Sequence, residues 1–211
     1  MALQPTGDPT DKITDEIHDL SRKTVEMLRL TWSGFRRLDA RYLQPAENLG
    51  REVHQAEKVL TERIVKNVPS GRTDTGGEQA FLLIPTHLER IGDNIELLIR
   101  AIKKVIQEGI AFSERANKEI NTLFEKDIEL LECVRDVILT RNRVLIRSIV
   151  EEGRRFEEMA DNFAVVHQQR LIEGVCVVKA SSVYLAIVDY LKGIEAHACQ
   201  IAQKLALASA A

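Results

Sequence analysis

Apolar residues recur at three- and four-residue steps along almost all of this chain, and few residues interrupt them. Only 11 Gly and 5 Pro punctuate 211 residues. Such sparse turn chemistry, beside 29% charged residues, restricts the chain to long amphipathic helices. With 45% hydrophobic residues it can build a sizeable core and is not a disordered chain. The expected fold class is all-α.

The breaks in the periodicity divide the chain. Residues 1–10 carry Pro5, Gly7 and Pro9 without a pattern and read as a mobile tail. Thr10 or Asp11 can cap a first helix to about Leu38, with Ile13, Ile17, Leu20, Val25, Leu28, Trp32 and Phe35 inward. Gln44-Pro45 opens a second helix to about Lys66, with Leu49, Val53, Ala56, Leu60 and Ile64 inward. Pro69 to Gly77 is the clearest loop. A third helix is expected from near Glu78 to about Gln107, kinked by Pro85 and ended by Gly109. Ser113 caps a fourth, to about Thr140; a fifth covers about Val144 to Leu171; Gly174 separates it from a sixth. Helices of this length favour two antiparallel three-helix bundles in tandem, over 11–109 and 112–208.

Function classes fall away in turn. The 29 basic and 32 acidic residues give a net charge of -3, which argues against nucleic-acid binding. The most apolar window, Leu171 to Leu191, contains Glu173, Lys179 and Asp189, so membrane insertion is not expected. No signal-peptide pattern opens the chain. Cys133, Cys176 and Cys199 are odd in number and form no CxxC, so they read as reduced thiols of a cytosolic protein. There is no Gly-rich phosphate loop: Gly76-Gly77 follows no strand and precedes no Lys-Ser or Lys-Thr. No ExxH occurs, which argues against a carboxylate-bridged di-iron enzyme. No constellation supports catalysis.

What remains is acidic. Glu89 and Asp93 lie four apart in Leu88-Glu89-Arg90-Ile91-Gly92-Asp93-Asn94, on the same helical face. Their repulsion costs a few tenths of a kcal/mol, roughly what an opposite pair would gain. A hard cation, a basic partner or a cationic side chain would relieve it. Glu157 and Asp161 form a second ExxxD on the fifth helix, with Arg154 and Arg155 close by in sequence. Carboxylates without His or Cys suit iron, Mn, Mg or Ca better than zinc. His18, His54, His87, His167 and His197 are scattered and read as surface or helix-packing residues. Arg36, Arg37, Arg41 and Arg51, then Arg141, Arg143, Arg147, Arg154 and Arg155, cluster near the turns and read as solvated faces that an acidic partner could use.

The stretch from Leu88 to Ile95 resembles the recurrent LERIGD helix of the PhoU family of phosphate-uptake regulators. Leu191-Lys192-Gly193-Ile194-Glu195-Ala196-His197-Ala198 echoes it 103 residues later. The resemblance implies two three-helix bundles related by duplication. It also implies negative control of phosphate uptake through contact with a phosphate transporter and a sensor histidine kinase, without catalysis. Monomer and homodimer are both left open. In some members ExxxD motifs hold metal clusters, so the resemblance makes Glu89, Asp93, Glu157 and Asp161 the candidate ligands. The carry-over is partial. Lys192 and Ala196 stand at the two acidic positions of the sixth helix, and the second helix offers Val53 and Glu57.

Overall fold

The computed structural model describes residues 9–67 and 83–208. These form six long helices: α1 (Pro9–Arg37), α2 (Leu43–Asn67), α3 (Ile84–Glu108), α4 (Glu114–Thr140), α5 (Arg143–Ile172) and α6 (Val178–Ala208). A 3-10 turn, Ala40–Tyr42, joins α1 to α2. No strand occurs among the described residues.

Local chemistry sets most boundaries. Ser113 Oγ accepts from Ala116 N at 3.2 Å and opens α4. Asn142 Oδ1 accepts from Val144 N and Leu145 N and opens α5. Gly109, at φ 60°, ends α3 in the left-handed conformation that glycine adopts without a Cβ clash. Arg141 does the same job for α4 at φ 52° without that freedom.

Three boundaries differ from the sequence reading. The first helix is already under way at Pro9, so neither Thr10 nor Asp11 is its cap. Proline is well tolerated in a first turn. The described part of α3 begins at Ile84, which puts Pro85 in the first turn, where its missing N–H has no partner to lose. It therefore kinks nothing. Helix α2 starts at Leu43, before Gln44-Pro45, because the 3-10 turn feeds directly into it. The expected loop at Pro69–Gly77 and the expected helix start at Glu78 lie outside the described residues, as do residues 1–8 of the expected tail.

Helices α1, α2 and α3 pack on one another as one bundle, and α4, α5 and α6 as a second. The bundles meet along two seams, α1 on α4 and α3 on α6. The first seam is aromatic. Phe35 stacks on Phe124 at 5.9 Å, and Trp32 donates from Nε1 to Asn121 Oδ1 at 2.7 Å. The second is built from the repeated segment. His87 faces His197, Asn94 lies against Gly193, and Glu108 pairs with Lys179 at 3.0 Å, so α3 and α6 run antiparallel. Arg29 and Glu132 hydrogen-bond across the first seam and are 103 residues apart, the repeat shift itself. Equivalent helices that meet antiparallel at equivalent residues are related by a pseudo-two-fold axis.

Leu88, Ile91, Ile95 and Leu98, with Leu191, Ile194, Ala198 and Ile201, are fully buried. The core is one contiguous cluster that crosses both seams.

Candidate acidic sites on the third and fifth helices

Burying Leu88, Ile91 and Ile95 turns the opposite side of α3 outward and raises Glu89 and Asp93 on it. The two are not equally open. Glu89 keeps 18% of its side chain exposed and Asp93 keeps 48%. His54 of α2 brings Nδ1 to 3.3 Å from Glu89 Oε1. Arg90 lies 3.9 Å from the Glu89 carboxylate and 3.4 Å from that of Asp93. Gly92 lets α2 approach: a Cβ there would meet Val53 at 3.3 Å. Below the pair, Glu57 accepts from Thr61 at 2.9 Å and from Thr86 at 3.3 Å.

On the second bundle, Glu157 and Asp161 are both exposed on α5. Arg155, close by in sequence, pairs instead with Glu152 at 2.5 Å. Lys192 crosses from α6 and sets its Nζ 2.5 Å from Asp161 Oδ1. That hydrogen bond holds the ammonium above its ordinary pKa, with Glu157 and Asp189 adding to the negative field. The two candidate pairs stay on separate bundles, one on α3 and one on α5.

The structure also reveals buried polar contacts that the sequence analysis did not assign. Glu119, 6% exposed, accepts from Arg170 at 3.0 and 2.7 Å, from Tyr184 Oη at 2.7 Å and from Arg115 at 3.0 Å. Burial acts to raise its carboxyl pKa, but these donors outweigh it and hold the pKa low. His167 stacks on Tyr184 at 3.9 Å between centroids. Asp127 is fully buried, and neither carboxylate oxygen has a partner. Burial first, and then Glu195, pushes its pKa well up. Glu195 is itself buried and accepts from the Cys199 thiol at 3.0 Å. Periodicity carries a signal for these residues, since Glu119, Asp127 and Glu195 fall on inward positions of their helices.

His87, His197 and most of the first basic cluster have partners within the chain. His87 and His197 bring their Nδ1 atoms to 3.3 Å across the α3–α6 seam, and burial lowers both pKa values. Arg36 lies over Trp32 at 4.8 Å, Arg37 over Tyr42 at 5.1 Å, and Arg41 pairs with Asp39 at 2.7 Å. The first basic cluster thus packs largely on its own chain.

Compared with solved structures, the chain superposes on PhoU from Pseudomonas aeruginosa with a TM-score of 0.85, covering 96% of this chain and 98% of that one. The fold is that of PhoU. The phosphate transport system regulatory protein PhoU from Streptococcus pneumoniae matches at TM-score 0.81 over 94% of each chain. A PhoU-like phosphate regulatory protein from Shewanella oneidensis MR-1 matches at 0.57, over 96% of this chain and 98% of that one. Identities are 15%, 11% and 16%, so the likeness is one of fold. No protein-family model matches the sequence, and no curated protein matches it.

The PhoU fold brings metal clusters into question, and these residues do not fit one. A hard cation of this kind takes about six oxygen ligands. No group of three or more His, Cys, Asp or Glu among the described residues is arranged to hold a metal ion. On α3, Glu89 and Asp93 share Arg90 as a partner, and His54 also meets Glu89. On α5, an ammonium already stands against Asp161. No helix among the described residues is long and apolar enough to cross a membrane.

Proposed function

We propose that this protein regulates phosphate uptake as a cytosolic adaptor, by contact with a phosphate transporter and a sensor histidine kinase, with no covalent chemistry of its own. The observation that supports this most is the end-to-end correspondence with PhoU from Pseudomonas aeruginosa, over 96% of this chain and 98% of that one. Long rigid helices suit the role, since they present extended faces without a loop to order on binding. The α3 face, with Asp93 open and Glu89 and Glu57 behind it, gives a basic partner segment a place to dock. Complementary charge there would set orientation and encounter rate more than raw affinity.

The test is a deletion strain grown in excess phosphate. Loss of the protein should leave phosphate uptake derepressed, read as the initial rate of labelled phosphate entry, and the wild-type chain should restore repression. Unchanged uptake in the deletion strain would refute the regulatory reading.

A further inference from the structure

The duplication aligns Lys192 with Glu89 and Ala196 with Asp93. In the first bundle the α3 positions are therefore acidic, while in the second the corresponding α6 positions carry a cation and a methyl group. Lys192 does not point into solvent. Only 29% of its side chain is exposed, and it reaches from α6 to α5 to meet Asp161 at 2.5 Å. Glu157, one turn before Asp161, lies within the same field. An ammonium supplies one compact positive charge and three donors, which is what an ExxxD pair asks of a counterion.

We infer that Lys192 is a built-in counterion that occupies the cation position of the α5–α6 acidic face and thereby closes it to divalent metal ions. The inference stands independently of the regulatory reading. Lysine is tethered, so its local concentration does not depend on metal supply, and it offers no open coordination positions. A divalent ion at Asp161 would have to displace the ammonium, leave it nearby as a repelling charge, and find most of its ligands in water.

The test uses the full chain and Mn²⁺ alone, followed by equilibrium dialysis and electron paramagnetic resonance. Wild-type protein should show no Mn²⁺ binding that Asp161→Asn abolishes. Lys192→Glu combined with Ala196→Asp restores on α6 the acidic pattern of α3, and should bind at least one Mn²⁺ per chain at least tenfold more tightly than wild type. Adding Asp161→Asn should remove that gain. Circular dichroism checks that each variant is helical. If the doubly acidic variant does not fold, Lys192→Met, which keeps the stem and removes the charge, decides the question: tighter Mn²⁺ binding than wild type supports the inference. Two results overturn it. One is wild-type Mn²⁺ binding that is lost in Asp161→Asn. The other is a folded lysine-free variant that binds Mn²⁺ no better than wild type.

Discussion

The two bundles share one plan but place their charges differently. In the first, Glu16 pairs with Arg63 at the surface, Thr24 spends its hydroxyl on the Ser21 carbonyl, and Gly92 leaves room for Val53. One repeat later stand Glu119, Asp127 and Glu195, all buried. On the outward faces the contrast reverses: α3 offers carboxylates, and α6 offers a lysine that is already committed. A duplicated backbone can therefore be held by one half that buries only hydroxyls among its described polar groups and another that buries carboxylates and a guanidinium. Which half carries each charge decides what substitution will cost, because an ion pair in water contributes little and a buried one is expensive to break.

The sharpest test of the contrast is Glu119→Ala against Glu16→Ala. Removing Glu119 leaves the mostly buried Arg170 without its carboxylate and should cost about 3–5 kcal/mol. Removing Glu16, whose side chain and that of its partner Arg63 are 32% and 39% exposed, should cost less than ~1 kcal/mol. Urea melts of the two variants check this, and equal costs would break the comparison. Core apolar positions should not distinguish the halves. Leu88 and Leu191 are both fully buried, so truncating either to alanine should cost about 2–5 kcal/mol, read as a lowered thermal midpoint.

A smaller effect should follow pH. Burial, and then Glu195, holds the Asp127 carboxyl well above its ordinary value, and burial also raises Glu195. In the unfolded chain both ionise near pH 4. Their contribution is therefore fully present below about pH 4 and is lost as pH rises through the folded-state values. Glu157 of α5 strengthens this trend at Glu195, while Lys192 of α6 opposes it. Each such proton contributes a slope of up to ~1.4 kcal/mol per pH unit. Urea melts at pH 5, 7 and 9 should show wild type losing stability relative to Asp127→Asn as pH rises, against the opposite trend from His87 and His197, whose pKa values burial lowers. A slope unchanged by that substitution would remove Asp127 from the account.

The smallest effect on stability should come from the outward face. Asp93→Lys should change stability by less than ~0.5 kcal/mol, since surface positions of this kind carry little folding energy, and Glu89→Lys by somewhat more. His54 adds weight at Glu89, which is mostly covered, so the Asp93 change should be the milder of the two. If this face contacts a partner, repression of phosphate uptake should be lost while the melt stays cooperative. Normal repression by the folded variant would place the contact elsewhere.

Much of this architecture is legible in the residues. Leu88, Ile91, Ile95 and Leu98 mark a buried stripe by spacing alone, and the Leu191 segment repeats it, because helical periodicity is a local property. Ser113 and Gly109 announce a helix start and a helix end for the same reason. Partner choice is not local. Arg154 and Arg155 are near Glu157 and Asp161 in sequence, yet the cation at Asp161 comes from 31 residues away on another helix. His54 meets Glu89 across 35 residues.

The sequence by itself thus determined an all-α chain, its helix spacing, its duplication and the outward acidic pairs, since each follows from short-range periodicity and from a repeat visible within one chain. Only the tertiary structure decided which charges are buried, that α3 and α6 cross antiparallel through their repeated segments, and that Lys192 rather than an arginine or an open site faces Asp161. Those depend on the rotation of each helix about its axis once the apolar stripes meet. The apolar pattern restricts that rotation to a face, and packing chooses the position within it.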